Sequence, residues 1–221
     1  MSNVLVIGAS RGIGLEFCKQ LQKQKHQVYA TCRNKSPELL KFCTKCFENI
    51  DVANESSLQE LADNFPLPSI DLLIHNAGIL EKDAFPDFNY PAMEKQFQIN
   101  TLGPLKAINA FLPLLKKGSK IAVVSSRAGS IASKLKGGKL YGYRVSKCAL
   151  NMALKCLSFD LMPKEICLAI LHPGYVNTDM TNHQAKISPA ESVKGMLDRI
   201  QEMDLSSTGV FWNYSGDILP W

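Results

Sequence analysis

The stretch Val4-Leu5-Val6-Ile7-Gly8-Ala9-Ser10-Arg11-Gly12-Ile13-Gly14 opens the chain with an apolar run, three closely spaced glycines and the start of a helical pattern. The apolar run predicts a buried strand, Val4–Ile7, of the kind found inside parallel sheets. From Gly12 to Lys25, apolar residues recur at helical spacing, which predicts an amphipathic helix. A strand, a glycine turn and a helix in direct succession begin a unit in which a crossover helix joins two parallel strands.

The same alternation of apolar runs and helical patterns continues along the chain. It predicts an α/β fold, a Rossmann-type doubly wound parallel sheet of about seven strands with helices on both faces. The other predicted strands are Gln27–Thr31, a third that ends at Ile50, Asp71–Ile74, Ile121–Ser125, Ile166–Leu171 and Val210–Tyr214. The other predicted helices are Pro37–Phe42, one capped by Asn54 or Ser56 that runs through Asn64, Tyr90–Lys117 with a kink at Gly103-Pro104, Tyr143–Leu161, and one from Pro189 to Met203.

Length and composition limit the classes of protein that the chain fits. Its 221 residues suit a single α/β domain spanning 1–221, and the chain shows no internal repeat or linker. The 25 basic and 20 acidic residues are scattered, which argues against nucleic-acid binding. With no signal-peptide pattern and no apolar run near the roughly 20 residues of a membrane span, we expect a cytoplasmic protein without membrane contact.

The seven cysteines indicate a reducing compartment rather than a disulfide framework. Four of them lie in apolar periodic segments, as small core residues do: Cys18, Cys148, Cys156 and Cys167. Cys43 and Cys46 form a C-x-x-C pair, a spacing that also occurs at metal and redox sites. No second cysteine or histidine pair lies nearby in the sequence to complete a zinc shell, so we expect no metal site.

The glycine turn between the first strand and the first helix occupies the place where doubly wound folds hold a dinucleotide pyrophosphate. Gly8 and Gly12 permit a tight turn and close approach of the backbone, and Gly14 lets the helix pack on the sheet. The helix N-terminus attracts the anion. A plain glycine-rich turn would show the same pattern. The position of this turn instead predicts a phosphate-binding loop formed by Gly8, Ser10, Arg11, Gly12, Ile13 and Gly14.

Arg33 follows the second predicted strand, where NAD-specific enzymes carry an acidic residue that binds the ribose hydroxyls. No acid occupies the segment Ala30-Thr31-Cys32-Arg33-Asn34. A guanidinium suits a 2′-phosphate, which it binds through paired charge-assisted hydrogen bonds. Arg11 offers a second positive group, although either arginine alone would be an ordinary surface residue. The pattern predicts NADP(H) as the cofactor.

Tyr143 and Lys147 stand four residues apart at a predicted helix start, so their side chains share one face. A tyrosine with its ordinary pKa of about 10 is a poor acid or base at neutral pH, and a neighbouring ammonium favours the phenolate. The same spacing also arises by chance in amphipathic helices. Upstream, Ser125 and Ser126 end the fifth predicted strand, at the sheet edge where open α/β folds bind ligands. The combination favours a catalytic site.

In order and spacing, these motifs resemble the short-chain dehydrogenase/reductase family over essentially the whole chain. Ile7 stands where family members usually have a threonine, and His75 replaces the first asparagine of the family's Asn-Asn-Ala-Gly motif. That histidine is expected to be structural. The segments Leu171–Val176 and Asn213–Trp221 are similar to the C-factor and sniffer subgroup of carbonyl reductases.

The resemblance implies roles for the site residues. NADPH would deliver a hydride to a carbonyl carbon while Tyr143 protonates the oxygen, and Lys147 would bind the nicotinamide ribose and lower the pKa of the tyrosine. Ser126 would position the oxygen, with Ser125 as the competing candidate, and Asn100 would hold a water that links the lysine to solvent. The other cofactor-binding residues that it implies, beside Tyr143 and Lys147, are Asp51, Val52, Asn76, Ala77, Gly78, Pro173, Gly174, Val176 and Thr178.

The function so implied is NADPH-dependent reduction of a small aldehyde or ketone. Two alternatives stay open: a catalytically silent nucleotide-sensing or signalling protein on the same fold, and an NAD-dependent alcohol dehydrogenase. Only Asp179 to Ile187 separate the last cofactor motif from the next helix start, so we expect an open substrate cleft. Family members usually pair through helices that correspond to Tyr90–Lys117 and Tyr143–Leu161, which implies a homodimer or homotetramer.

Overall fold

The computed structural model describes residues 1–134 and 137–221. Its strands are β1 (Asn3–Ile7), β2 (Gln27–Thr31), β3 (Lys45–Phe47), β4 (Ile70–His75), β5 (Leu115–Val124), β6 (Cys167–His172) and β7 (Phe211–Asn213). They form one seven-stranded sheet in the order β3-β2-β1-β4-β5-β6-β7, and every neighbouring pair is parallel. The strand order reverses between β1 and β4, which opens a crevice at the carboxyl ends of these strands.

Helices cover both faces of the sheet. They are α1 (Gly12–Lys23), α2 (Pro37–Leu40), α3 (Glu55–Asp63), α4 (Tyr90–Phe97), α5 (Gly103–Phe111), α6 (Tyr141–Leu161) and α7 (Pro189–Glu202). Successive side chains of a strand point to opposite faces. Accordingly, Leu5 of β1 packs into the core formed with α3, α5 and α6, whereas Val4 packs into the core formed with α1, α2 and α7. The predicted doubly wound α/β fold is confirmed.

The third strand and the first helix end two or three residues earlier than predicted, and in each case a residue with left-handed backbone geometry is the reason. Helix α2 ends at Leu40 rather than Phe42, and β5 and β7 each end one residue earlier than predicted. The third strand ends at Phe47 rather than Ile50, because Asn49 adopts φ 59° and turns the chain out of the sheet. Helix α1 ends at Lys23 rather than Lys25, which has φ 64°. Neither residue is glycine, so composition gave no warning of the turn.

The long helix predicted for Tyr90–Lys117 is instead a succession of four helical pieces that ends at Leu114. A π-helical turn, Gln98–Leu102, separates α4 from α5, and a short 3₁₀ turn, Leu112–Leu114, ends the helical region before β5. The π-helical turn immediately precedes the predicted kink site Gly103-Pro104, and Pro104 lies in the first turn of α5. The π-helical turn extends over the carboxyl end of the sheet, where such turns commonly accompany functional sites.

Side-chain caps fix two helix starts where the sequence predicts them. The Asn54 side chain accepts a hydrogen bond from the backbone N–H of Ser57, so Asn54 rather than Ser56 caps α3. The Ser188 hydroxyl accepts one from the N–H of Glu191 and caps α7. Such caps stabilise a helix by roughly 1 kcal/mol each. None of the helices in the two described ranges combines the length and apolar character that crossing a membrane requires.

Candidate active site

A groove lies at the carboxyl ends of β1, β2 and β4, where the strand order reverses. The glycine turn, the end of β2 and the segments after β3, β4 and β6 line it. Twelve residues predicted to bind the cofactor are in its lining: Gly8, Ser10, Arg11, Gly12, Ile13, Arg33, Asp51, Val52, Asn76, Ala77, Gly78 and Thr178. The groove therefore gathers segments from most of the chain at one edge of the sheet.

Six predicted cofactor residues lie outside the lining of this groove, although all are among the described residues: Gly14, Tyr143, Lys147, Pro173, Gly174 and Val176. Seven lining residues were not predicted: Thr31, Cys32, Ile50, Ile79, Ile99, Asp179 and Met180. Thr31 and Cys32 could have been found, since they directly precede Arg33 at the end of β2. Nothing in the neighbouring sequence marks Asp179 as a groove residue, because its contact there is an ion pair with the distant Arg11.

Gly8 holds the glycine turn close to the end of β4. It has φ 81°, and a Cβ atom there would lie 2.7 Å from the backbone nitrogen of Ala77, so no larger residue fits. The Asn76 side chain donates a hydrogen bond to the Gly8 carbonyl oxygen (2.9 Å), and the Thr31 hydroxyl accepts one from the Gly8 N–H (3.4 Å). Thr31 thus provides a hydroxyl at the turn, where Ile7 has none.

The other two glycines of the turn have different tasks. A Cβ atom on Gly14 would overlap the Gly8 carbonyl oxygen, so Gly14 allows α1 to pack against the turn, as predicted. Gly12 has φ 54°, and a Cβ atom there would lie 3.3 Å from a methyl carbon of Thr178. The segment after β6 therefore folds back over the glycine turn and closes one side of the groove.

The two predicted arginines differ in their electrostatic surroundings. The Arg11 guanidinium forms an ion pair with Asp179 (2.7 Å), and Asp179 also contacts His183 (2.9 Å). Arg33 is exposed at the groove and forms no ion pair with any residue in the described ranges. A carboxylate therefore already compensates the charge of Arg11, and Arg33 provides the uncompensated cation at the end of β2.

Lys147 is buried beside the groove. Its Nζ donates a hydrogen bond to the carbonyl oxygen of Val124, the last residue of β5, at 3.0 Å. A Cβ atom on Gly78 would lie 3.7 Å from this Nζ and 3.2 Å from Oδ1 of Asn100. The structure thus brings Lys147, Asn100 and Gly78 together. Burial lowers the pKa of Lys147 from its ordinary value to about 8.

Tyr143 lies one helical turn before Lys147 and is half-buried. Burial raises the pKa of Tyr143, and the nearby Ser126 hydroxyl opposes part of this rise. The lysine ammonium is expected from the sequence to lower the tyrosine pKa, and the structure differs because desolvation of the phenolate outweighs the other effects. In the protein alone, Tyr143 is therefore a neutral phenol at neutral pH.

The structure separates the two candidate serines. The Ser125 hydroxyl is buried and donates a hydrogen bond to Oδ1 of Asn151 on α6 (2.5 Å), so it is occupied inside the fold. Ser126 is half-buried, and its hydroxyl accepts a hydrogen bond from the N–H of Ala128 (3.1 Å), which caps the short turn Arg127–Gly129. Ser126 is therefore the serine beside the phenol.

Asn100 is fully buried in the π-helical turn. Its Oδ1 accepts a hydrogen bond from the Ile79 N–H (2.8 Å), and its Nδ2 donates to the Ile79 carbonyl (2.9 Å) and to the Ser146 hydroxyl (3.0 Å). Both amide hydrogens are thus engaged within the protein, which ties the segment after β4 to α6. Neighbouring His75 is also buried, and burial lowers its pKa to about 3, which fits the expected structural role.

Only part of the segment after β6 lines the groove. Its residues Thr178, Asp179 and Met180 do so, and the residues before them border the site. The Pro173 carbonyl oxygen accepts a hydrogen bond from Ser192 of α7 (2.6 Å), and Val176 forms a β-bridge with Ile187. Gly174 has φ 83°, and a Cβ atom there would lie 2.6 Å from the Ile187 side chain. These contacts fix the start of the segment, so that Thr178 reaches the glycine turn.

Comparison with known proteins agrees with this arrangement. A family model described as short chain dehydrogenase matches residues 2–188. C-signal from Myxococcus xanthus is 41% identical over 167 residues, which cover 74% of this chain and 100% of that protein. The 1-hydroxy-2-glutathionyl-2-methyl-3-butene dehydrogenase of Rhodococcus sp. (strain AD45) is 33% identical over 227 residues and 100% of both chains.

Two solved structures match the whole chain. The carbonyl reductase Sniffer of D. melanogaster superimposes with a TM-score of 0.92 at 30% sequence identity, covering 100% of both chains. An NADPH-bound carbonyl reductase from chicken fatty liver superimposes with a TM-score of 0.89 at 30% identity, covering 100% of this chain and 99% of that one. The predicted likeness to carbonyl reductases of the C-factor and sniffer type is confirmed.

The buried ammonium yields a stability prediction for Lys147→Met in the cofactor-free protein. The pKa of Lys147 is about 8 in the folded state against an ordinary 10.5, so the charged form is disfavoured by up to about 3 kcal/mol below pH 8. Methionine removes this cost and also the hydrogen bond to Val124. We expect the free energy of unfolding of the variant at pH 7 to be about 1–3 kcal/mol higher than that of the parent, measured by urea denaturation.

The stability advantage of Lys147→Met should disappear as the pH rises from about 8 towards 10.5, because the folded parent then releases the proton that destabilises it. The exposed Lys164 supplies the matched control, and Lys164→Met should change the stability little at any pH. A Lys147→Met protein that is less stable than the parent at pH 7 would contradict this account of the buried ammonium.

Proposed function

The chain belongs to the short-chain dehydrogenase family, and from this premise we propose that it is an NADP(H)-dependent oxidoreductase that reduces aldehydes or ketones. The observation that carries the proposal is the grouping of the Tyr143 phenol with the Ser126 hydroxyl, one helical turn from the buried ammonium of Lys147. A phenol, a second hydroxyl and an ammonium at the carboxyl edge of the sheet are the groups that a carbonyl oxygen needs as its charge develops.

The residues of the groove fit NADP(H). The glycine turn has left-handed backbone geometry at two positions and leads directly into the N-terminus of α1, which has no side-chain cap, so its amides suit a pyrophosphate. Arg33 suits a 2′-phosphate, and no acid stands at the end of β2. The relative from chicken liver holds NADPH. When bound, the cofactor supplies the hydride.

In the proposed mechanism, Ser126 holds the carbonyl oxygen and Tyr143 gives that oxygen its proton. Burial supports this direction, because the raised pKa of Tyr143 keeps the phenol protonated at neutral pH. Lys147 binds the ribose hydroxyls and returns a proton towards the phenol. Asn100 positions the segment after β4 against α6, and it keeps one lone pair of Oδ1 for a water.

Two alternative functions can be distinguished from this proposal. A silent nucleotide sensor would bind cofactor without oxidising it, and the presence of all four catalytic residue types argues against it. An NAD-dependent alcohol dehydrogenase would need an acidic partner for the ribose at the end of β2, where this chain has Arg33.

We further propose that residues 1–221 act as one domain and that two or four copies associate through α6 and the helical region that contains α4 and α5. Exposed apolar side chains on α6 form one stripe at seven-residue spacing, namely Val145, Met152 and Phe159. Sedimentation as a monomer alone would contradict the association. The seven cysteines are all free thiols, which supports a cytoplasmic location.

Removing either hydroxyl should reduce turnover. Tyr143→Phe keeps the ring but removes the proton donor, so we expect kcat to fall by about 10²-fold or more. Ser126→Ala removes the group that holds the oxygen, with an expected loss of about 10²-fold. The measurement is NADPH oxidation across a panel of aldehydes, diketones and quinones, with NADPH binding followed separately by fluorescence.

Ser125→Ala is the matched control for these variants. It breaks the buried hydrogen bond to Asn151, so the protein should lose about 1–3 kcal/mol of stability while kcat per folded molecule stays near that of the parent. Undiminished turnover by Tyr143→Phe, or a larger kcat loss for Ser125→Ala than for Ser126→Ala, would refute the assigned roles.

Cofactor preference should depend on Arg33. Because an arginine–phosphate contact is charge-assisted, Arg33→Asp should lower kcat/KM for NADPH by about 10-fold to 100-fold and improve the use of NADH. Arg11→Ala provides the comparison, and its effect should be smaller because Asp179 already compensates that charge. Equal use of NADH and NADPH by the unmodified protein would count against the assignment.

A further inference from the structure

Four cysteines from three separate segments meet at the β2–β3 edge of the sheet. Cys18 of α1 and Cys32 after β2 are buried in the core on that face, and the half-buried C-x-x-C pair, Cys43 and Cys46, packs against the same core. The sulfur atoms of Cys32 and Cys46 lie 3.4 Å apart. In the described ranges, no group of three or more histidine, cysteine, aspartate or glutamate residues suits a metal ion. The close approach of the Cys32 and Cys46 sulfur atoms points to thiol chemistry.

The thiols of the cluster differ in reactivity. Burial raises the pKa of Cys18 and of Cys32 to about 12, so neither is the first thiol of the cluster to react as a thiolate at neutral pH. Cys43 is partly exposed; its thiol donates a hydrogen bond to the Leu39 carbonyl oxygen (3.3 Å), and the nearby Cys46 thiol lowers its pKa. Because the thiolate is the nucleophile, Cys43 is the member of the cluster that an oxidant in solution meets first.

The cluster adjoins the cofactor groove. Cys32 lines the groove and directly precedes Arg33. The Cys32 N–H donates a hydrogen bond to the carbonyl oxygen of Phe47 (3.0 Å), and the Ile50 N–H donates one to the Cys32 carbonyl (3.2 Å). Cys32 thus joins the end of β2 to the segment that leads to Asp51, and a movement of its sulfur shifts both sides of this end of the groove.

We propose that Cys43, Cys46 and Cys32 form a thiol-oxidation site, in which hydrogen peroxide produces a Cys32–Cys46 disulfide that weakens the binding of the cofactor at Arg33. Nothing in the carbonyl chemistry uses these three residues. The disulfide itself is independent of the proposed function, whereas the effect on the cofactor rests on it.

The chemistry proceeds in balanced steps. The Cys43 thiolate attacks peroxide, so an S–O bond forms, the O–O bond breaks and hydroxide leaves as water after taking up a proton. Cys46 attacks the resulting sulfenic acid, water leaves and a Cys43–Cys46 disulfide forms. Cys32 then attacks the sulfur of Cys46: the Cys43–Cys46 bond breaks, a Cys32–Cys46 bond forms, and the Cys32 proton passes to the departing Cys43 sulfur, which returns to a thiol. Overall, two thiols lose two electrons and two protons, and one peroxide becomes two waters.

The geometry favours Cys32–Cys46 as the final pair and predicts a displacement at the groove. A disulfide requires its sulfur atoms at about 2.05 Å, whereas these lie 3.4 Å apart in the reduced protein. Strand β3 has only three residues and forms the edge of the sheet. Closing the gap therefore draws Cys32 and β3 together, and Arg33, as the next residue, moves away from the position that it has in the reduced protein.

Trypsin separates the three thiols onto different peptides, because cleavage after Lys25, Arg33, Lys41, Lys45 and Lys82 gives the peptides 26–33, 42–45 and 46–82. The reduced full chain is treated with hydrogen peroxide, remaining thiols are blocked, and the digest is analysed by mass spectrometry. We expect a crosslink between 26–33 and 46–82. If peptide 46–82 is crosslinked only to 42–45, or to neither peptide, the proposed final pair is wrong.

The functional consequence is measured as the KM for NADPH and, independently of turnover, as NADPH binding by fluorescence titration. Oxidation should raise both KM and Kd by about fivefold, with kcat changed by less than about twofold. Cys46→Ser lies outside the groove, so it should keep the KM of the reduced parent and lose its sensitivity to peroxide. Cys156 is exposed, not in the core as its sequence context predicts; it supplies the control, and Cys156→Ser should remain sensitive to peroxide.

The outcomes keep the two proposals distinguishable. A crosslink without any change in KM or Kd would overturn the link to the cofactor. Peroxide sensitivity that persists in Cys46→Ser would overturn it as well. If the reduced parent binds NADPH and reduces no carbonyl, the proposed function fails, whereas the crosslink and the change in Kd still decide the oxidation site.

Discussion

The candidate site depends on a lysine ammonium held inside the protein at the end of β5. Lys147 has one protein hydrogen bond, to Val124, in surroundings that lower its pKa to about 8. Burying such a charge is costly, and the fold accommodates it by close packing around glycines. A Cβ atom on Gly78 would lie 3.7 Å from Nζ, an ordinary contact distance, and one on Gly129 would lie 2.6 Å from the Lys147 carbonyl oxygen. Gly129 therefore lets the turn after β5 approach the backbone of α6 at Lys147.

The sequence predicted those parts of the structure that depend on local patterns. Three glycines after an apolar run specify the turn before α1, and the four-residue spacing of Tyr143 and Lys147 places both on one helix face. The order of these motifs was enough to predict the sheet and the family. What local patterns could not give are the contacts between distant segments and the effects of burial.

Two residues illustrate this limit. Arg11 pairs with Asp179, which is 168 residues away, so its neutralised charge has no local signature. Tyr143 has a raised rather than a lowered pKa, because desolvation depends on everything that packs around the ring. In both cases the type and position of the residue were predictable, while its electrostatic state depended on tertiary structure.

The end of the site that holds the reacting groups is more tightly restrained by hydrogen bonds than the end near Arg33. At the reacting end, Asn100 connects the segment after β4 with α6 through buried hydrogen bonds, and buried hydrogen bonds of this kind open rarely. At the adenosine end, the short edge strand β3 and the exposed Arg33 have fewer such restraints. A local change at the sheet edge can therefore alter how the cofactor is held without disturbing the reacting groups. This separation explains why binding and chemistry should respond independently to a modification beside Cys32.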